Sequence, residues 1–312
     1  MASNSVTQAE HSETINSDTT LEQTSSESCD TTEESSEAQK IQDSLCHHYL
    51  MTTRELQLYW LKEKHKGKPV KLLFEIPSTR IAEDFLSKFV MYQIVIIKTG
   101  SFDENKVFIE RRYSDFEKLH QNLLKDFKEE MEDVLFPKKI LKGNLTEELI
   151  SKRMLAFKDY LAELYAIECV QKCKKFIDFF INPEIKEAYS CLRGGQYGKA
   201  MELFQQVECL QEKLTQHRLI LTVPTLCALV VCYKDLEDTE RAYDLGMKAL
   251  ALLERHPRHR YYNPLLDTLI SMAYKLGKEF VSLQEQLEKG KGQIDGTKLV
   301  TLKELVVQEC VT

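Results

Sequence analysis

Arg111-Arg112-Tyr113-Ser114-Asp115-Phe116 follows directly on the alternating apolar run Val107-Phe108-Ile109 and opens a stretch with helical spacing. The segment reads as a strand, then two guanidinium groups, then a helix start. Ser114, with Glu117 three residues on, has the capping-box pattern. Phe116, Leu119, Leu123, Leu124 and Phe127 fall on one helical face. Arginine forks and the free N–H groups of a first helical turn thus meet at one junction, which is a place to hold a phosphate. The competing reading of the hexapeptide alone is a solvated rim, with Tyr113 and Phe116 in the core.

Basic groups recur downstream, each beside an expected element end. Val134-Leu135-Phe136-Pro137-Lys138-Lys139-Ile140-Leu141-Lys142 is a proline loop mixing apolar and basic residues. Thr146 then starts a second helix, with Lys152 and Arg153 in its second turn.

In this order of elements, residues 70–181 resemble a phox-homology (PX) domain of the sorting nexin family. With the Met51-Thr52-Thr53-Arg54-Glu55-Leu56 lead-in and the helical C-terminal part, the resemblance covers about four fifths of the chain. It implies an α+β PX domain, a three-stranded antiparallel meander packed on helices, followed by an all-α helical-hairpin repeat domain. It also implies a pocket for phosphatidylinositol 3-phosphate, with other phosphoinositides as further candidates. Arg112 would hold the 3-phosphate in a bidentate contact that a lysine could not reproduce. Tyr113 would lie against the inositol ring, and Ser114 would add a hydroxyl or N–H to the same phosphate. Lys139, with or without Lys138, would meet the 1-phosphate, and Arg153 the ring hydroxyls. Arg111 points to the opposite face of the strand and is expected to be structural or a surface contact. The chain departs from the family in its loop, where only Pro137 stands in place of two prolines. That leaves open which of Lys138 and Lys139 faces the ligand.

A headgroup contact alone anchors weakly. Leu135, Phe136, Ile140 and Leu141 are therefore candidate membrane contacts, with Lys138, Lys139 and Lys142 at headgroup level. The alternative places these apolar residues against the core.

The net charge of −7 is unevenly spread, because residues 1–39 hold nine Asp/Glu and no Lys/Arg, leaving about +2 for residues 40–312. The same stretch contains sixteen Ser/Thr and almost nothing large and apolar, so an acidic disordered tail is expected over residues 1–43. Residues 44–69 read as a linker with a short helix around Trp60. The PX domain is assigned to residues 70–182, a helical protein-interaction domain to 183–290, and a C-terminal segment to 291–312. Asn182-Pro183 is the expected boundary.

Beyond the boundary, joints at Gly194-Gly195-Gln196, Leu236-Glu237-Asp238 and Leu276-Gly277-Lys278 recur about every forty residues. Ala200 and Ala242 take like positions after two of them. This resembles tetratricopeptide-type hairpins, whose stacked groove can hold a peptide such as the cytoplasmic tail of a transmembrane cargo protein.

No apolar run of bilayer length and no signal-peptide pattern is seen, so the expectation is a cytosolic chain with peripheral membrane contact. The expected location is cytoplasm and the cytoplasmic face of early endosomes, with the plasma membrane as a further candidate. Nine cysteines without a C-x-x-C pair speak against zinc and for buried thiols. Acidic and basic residues balance over 70–180, which argues against a nucleic-acid groove. Nucleotide, metalloprotease, hydrolase and kinase signatures are absent, so no enzyme, cofactor or metal is expected. The reading is an adaptor that joins endosomal phosphatidylinositol 3-phosphate to a membrane-protein cargo. The alternative is a helical-repeat scaffold whose PX-like part binds lipid poorly.

Overall fold

β-branched and aromatic residues at alternating positions build three strands, β1 (Leu72–Glu83), β2 (Lys88–Lys98) and β3 (Val107–Arg112). They pair as an antiparallel meander in the order β1-β2-β3. The β1–β2 register shifts between Glu75 and Ser78, where Pro77 has no N–H to give the ladder. The computed structural model describes residues 71–85, 87–99, 103, 106–140, 143, 145–291 and 300–309. The expected acidic tail and the Trp60 helix lie outside these described residues.

Phe74, Tyr92, Ile94, Ile96 and Ile109 on one face of the sheet are buried against Phe116, Phe157, Tyr160, Phe176 and Phe180. Those rings come from α1 (Tyr113–Asp126), α2 (Glu147–Ala166) and α4 (Lys174–Arg193), with the short α3 (Glu168–Gln171) between the last two. Phe116 and Phe157 stack with centroids 3.9 Å apart, which fixes α1 against α2.

The rest of the chain is helical: α5 (Tyr197–Leu214), a 3-10 stretch (Gln216–Thr222), α6 (Val223–Asp235), α7 (Thr239–Leu253), α8 (Tyr262–Leu276), α9 (Val281–Lys291) and α10 (Leu302–Val307). Three hairpins result, α4/α5, α6/α7 and α8/α9. Each joint holds one residue in the left-handed region: Gly195 at φ 72°, Glu237 at φ 65° and Gly277 at φ 65°. Glycine suits that conformation and glutamate does not. Ala200 and Ala242 are fully buried, as their place after a joint requires. Gln216–Asp235 is apolar enough to pass for a bilayer span. Its helical part α6 is instead the centre of the hairpin core, with Cys227 and Cys232 buried there.

Pro183, at the expected boundary, does not end a helix. It lies inside α4, which runs unbroken from the sheet-packing half into the first hairpin. A proline in a helix leaves the carbonyl four residues back without its donor. Here that carbonyl is Phe179 O, and Arg111 Nε donates to it at 2.7 Å. Arg111 Nη2 donates to Phe180 O at 3.0 Å, and its two Nη atoms each reach Glu184 at 2.7 Å. The guanidinium is 3% exposed. The helix survives its proline because a buried arginine supplies the missing donor.

α5 belongs to both halves. Ala200 and Phe204 enter the hairpin core, whereas Val207, Leu210 and Leu214 enter the sheet-side core. Lys213 Nζ donates to Ile96 O at 2.8 Å and to Asp103 Oδ2 at 2.7 Å, in a pair 5% and 10% exposed. Residues 67–312 accordingly form one compact unit.

Candidate functional site

The strand–helix junction is built by alternation. On β3, Val107, Ile109 and Arg111 turn inward while Arg112 turns outward. Arg111 is therefore the structural arginine described above, as its strand face implies. Arg112 stands at the N-cap of α1, about half exposed, with its guanidinium 5.5 Å from the centre of the Phe89 ring.

The helix begins earlier than the Ser114/Glu117 pattern suggests. Asp115 Oδ2 accepts from the backbone N–H of Arg112 at 2.9 Å, so the Arg112/Asp115 pair closes the turn and Tyr113 is the first helical residue. Ser114 lies one residue into the helix. Its first-turn N–H has no intrahelical acceptor, and the residue lines the same cavity as Arg112.

That space is a cavity of about 290 Å³ lined by Ser87, Lys88, Phe89, Val90, Tyr92, Arg112, Tyr113, Ser114, Lys139, Ile140 and Arg153. The fold thus gathers Arg112, Tyr113, Ser114, Lys139 and Arg153 around one hole. Lys138 is exposed and does not line it. Lys139 Nζ is held by Glu117 Oε2 at 3.0 Å, and Arg112 Nε is 3.6 Å from Asp115 Oδ1. Both pairs are half exposed, so each carboxylate is a weak competitor for an incoming anion.

Arg153 is different. It is 6% exposed, and its Nε finds no hydrogen-bond acceptor. Its guanidinium lies 4.5 Å from the centre of the Tyr113 ring, a cation–π contact that orients it without using its N–H donors. Tyr92, at the cavity floor, also has a buried hydroxyl without a partner. Burial raises the Tyr92 pKa against the pull of Arg153, so the phenol stays protonated. The unpaired Arg153 Nε and Tyr92 hydroxyl are groups an anionic, hydroxyl-rich ligand would satisfy.

Tyr113 does more than offer a ring. Its hydroxyl donates to Pro137 O at 2.8 Å, pinning the proline loop to α1. Burial is the main cause of its raised pKa, with Glu117 adding to it.

The apolar loop residues divide. Phe136 stacks on His120 at 4.6 Å and meets Tyr160 edge-on at 5.2 Å, so it is half-buried and packs against the core instead of standing free like Leu135. Leu135 is 80% exposed and Ile140 is exposed beside Lys139 at the cavity rim. Leu141 lies outside the described residues. Sequence reasoning missed Phe85 in the turn between β1 and β2. Asp84 N donates to Ser87 O at 3.0 Å, and Ser87 N to Asp84 Oδ1 at 2.8 Å. That tight turn holds Phe85 fully exposed, next to the cavity-lining Ser87, Lys88 and Phe89.

A three-stranded meander, an arginine-bearing junction and a proline loop around one cavity define a PX domain, and the family model described as "PX domain" matches residues 99–183. Sorting nexin-20 of Bos taurus is 58% identical over 259 residues, 83% of this chain and 82% of that protein. Sorting nexin-20 of Rattus norvegicus is 50% identical over 271 residues, 87% of each. Sorting nexin-21 of Mus musculus is 34% identical over 261 residues, 83% of this chain and 72% of that protein. Among solved structures, a designed CISK-PX domain is 25% identical with a TM-score of 0.29, covering 34% of this chain and 95% of that one. The chain belongs to the sorting nexin family, in its sorting nexin-20 and sorting nexin-21 type. This supports a phosphoinositide-binding role in membrane trafficking.

Proposed function

We propose that the chain attaches to endosomal membranes by holding phosphatidylinositol 3-phosphate in the β3–α1 cavity, and that its helical half holds the cytoplasmic tail of a membrane-protein cargo. The observation that carries the lipid reading is Arg153, a buried guanidinium with an unsatisfied Nε on a cavity also lined by Arg112, Lys139 and the first turn of α1. Arg112 takes the 3-phosphate with the Ser114 N–H, Lys139 the 1-phosphate, and Arg153 and Tyr92 the ring hydroxyls. Phe85, Leu135 and Ile140 enter the lipid interface around the cavity mouth. Lys138 lies at headgroup level outside the pocket. Residues 70–182 carry the lipid function and 183–290 the protein-binding function, on one shared scaffold.

Liposome sedimentation across phosphoinositide isomers tests this reading. The parent chain should prefer the 3-phosphate isomer, and Arg112→Gln should weaken that binding by about 2–5 kcal/mol, the cost of unpairing a charged contact. Equal sedimentation with all isomers, or an unaffected Arg112→Gln variant, would overturn the pocket assignment. The Asp115 and Glu117 carboxylates beside Arg112 and Lys139 favour a second reading, a protein scaffold with weak lipid affinity. Uniformly poor sedimentation supports it.

A further inference from the structure

The turn between α7 and α8 reads Arg255-His256-Pro257-Arg258-His259-Arg260, and none of these residues lines the lipid cavity. The turn is stiff. His256 N donates to Leu253 O at 2.7 Å, His259 N to His256 O at 2.9 Å and Tyr262 N to His259 O at 2.9 Å. Pro257 fixes a further backbone angle among these bonds. Arg255, His256, Pro257, Arg258 and His259 together line a recess of about 450 Å³.

The positive charges of this recess are not answered by the protein. Arg260 is taken, since it pairs with the Glu309 carboxylate and lies 5.1 Å from the centre of the Tyr261 ring. Arg255 and Arg258 are exposed, and neither has an ion pair or hydrogen-bond partner among the described residues. No carboxylate lines the recess, and the neighbouring Glu254 is exposed beside it. Tyr261 N donates to His259 Nδ1 at 3.4 Å, so the neutral imidazole carries its proton on Nε2 and keeps a donor to offer. Burial, then the positive charge of Arg260 and His256, holds the His259 pKa below its ordinary 6.5. A further cation is unwelcome there and an anion is welcome. Two guanidinium forks and an imidazole N–H on one stiff concave frame match the oxygens of a phosphate monoester.

We propose that the α7–α8 turn is a binding site for a phosphorylated serine or threonine in a segment of a partner protein. Arg255 and Arg258 take the phosphate oxygens in bidentate contacts, and His259 Nε2–H adds a third donor. The observations favour a peptide over a bilayer, because the recess is concave and the turn exposes no large apolar residue to enter a lipid interface. Around the lipid cavity the opposite holds, with Phe85 and Leu135 exposed. Phosphorylation adds about two negative charges and three acceptor oxygens, so the partner is held only while it is modified. The site stands apart from the phosphoinositide and cargo readings and depends on neither.

The probe is the tripeptide alanyl-phosphoseryl-alanine, added to the full-length chain carrying carbon-13-labelled histidine. The ring C–H signals of His256 and His259, assigned through His256→Gln and His259→Gln, report binding at the turn. The phosphopeptide should shift both signals saturably, and the unphosphorylated tripeptide should shift neither. Arg255→Gln with Arg258→Gln should weaken the phosphopeptide at least about tenfold, while melting and 3-phosphate liposome sedimentation stay as in the parent. Arg255→Lys with Arg258→Lys keeps the charge and loses the forks, so it should recover only part of the loss. Absence of a saturable shift overturns the proposal, as does an equal response to the unphosphorylated tripeptide. A response to inorganic phosphate alone would leave a free-anion site and overturns it too. If the glutamine pair melts below the parent, the lysine pair decides, and full parent affinity there refutes the forks. Sedimentation with phosphatidylcholine–phosphatidylserine vesicles that depends on Arg255 and Arg258, with no tripeptide response, would make the turn a membrane contact and overturn the peptide assignment. Failure of 3-phosphate sedimentation, with tripeptide binding intact, refutes the lipid reading alone.

Discussion

Arg111 and Arg112 are adjacent, yet their substitution should produce opposite phenotypes. Arg111→Leu removes a 3%-exposed guanidinium that donates to Phe179 O, Phe180 O and both Glu184 carboxylate oxygens. The leucine refills volume but leaves the Glu184 carboxylate, 13% exposed, without its cation. It also leaves the carbonyl orphaned by Pro183 without a donor. Breaking a buried pair from one side costs about 3–5 kcal/mol. At about 2–4 °C per kcal/mol for a unit of this size, the melting temperature should fall by roughly 6–20 °C. Arg112→Gln touches only a half-exposed side chain and should leave melting unchanged while removing 3-phosphate liposome binding. Circular dichroism melts and liposome sedimentation on both variants decide the matter. If Arg111→Leu melts within about 2 °C of the parent, the donor argument at Pro183 is wrong. If Arg112→Gln loses stability instead of binding, the two roles have been exchanged.

Phe85→Ser should reduce liposome binding without changing melting. Phe136→Ser should cost about 3 kcal/mol of stability in a chemical denaturation curve, because its ring fills the space between His120 and Tyr160. Glu237→Gly should raise the unfolding free energy from a chemical denaturation curve by up to about 1 kcal/mol, by relieving a left-handed glutamate at φ 65°. Burial holds the His120 pKa below its ordinary 6.5, and burial with Arg260 and His256 does the same for His259. The unfolded chain then takes up these protons first, so stability should drop as pH falls below 6.5, and His120→Gln should flatten part of that slope in melts taken at several pH values. Residues 184–312 expressed alone should lack a cooperative melt, since the cut splits α4 and strips the sheet from Val207, Leu210 and Leu214.

Period-two alternation in Val107–Arg112 was enough to place the strand, the inward Arg111 and the outward Arg112, because alternation is a property of the backbone. The cap was not, since Arg112/Asp115 and Ser114/Glu117 share the same three-residue spacing. The carboxylate that reaches the free N–H is decided by where β3 stops. The proline loop has no period, so nothing local separates the packed Phe136 from the exposed Leu135. Phe85 escaped notice because its turn, Asp84 to Ser87, carries no glycine or proline and is held by an aspartate side chain. Two of the three left-handed joints are glycines and marked the repeat. The third, Glu237, kept only the spacing.

Pro183 shows most directly what a linear reading lacks. Proline after asparagine ordinarily ends a helix, and a helix end between two composition types suggests a domain boundary. The donor that cancels that rule comes from Arg111, 72 positions earlier in the chain and beside the cavity-lining Arg112. The same contact ties the cavity to the first hairpin through a single residue. α5 adds a second tie, with Lys213 pairing to Asp103 between β2 and β3. Two buried ion pairs and two shared helices, α4 and α5, leave no linker about which the halves could swing. A membrane that takes hold of Arg112, Lys139 and Phe85 therefore also sets the direction in which the hairpins face. On the proposed adaptor reading this matters more than affinity, because helices held at one angle to the bilayer would meet a cytoplasmic tail at a defined height. The sharpest check is to loosen the ties without touching either surface. Asp103→Asn with Glu184→Gln should leave soluble-headgroup binding intact while lowering protease resistance of residues 195–291. Unchanged protease resistance in that double variant would mean the halves are held by the continuous α4 and the apolar packing of α5 without help from the ion pairs.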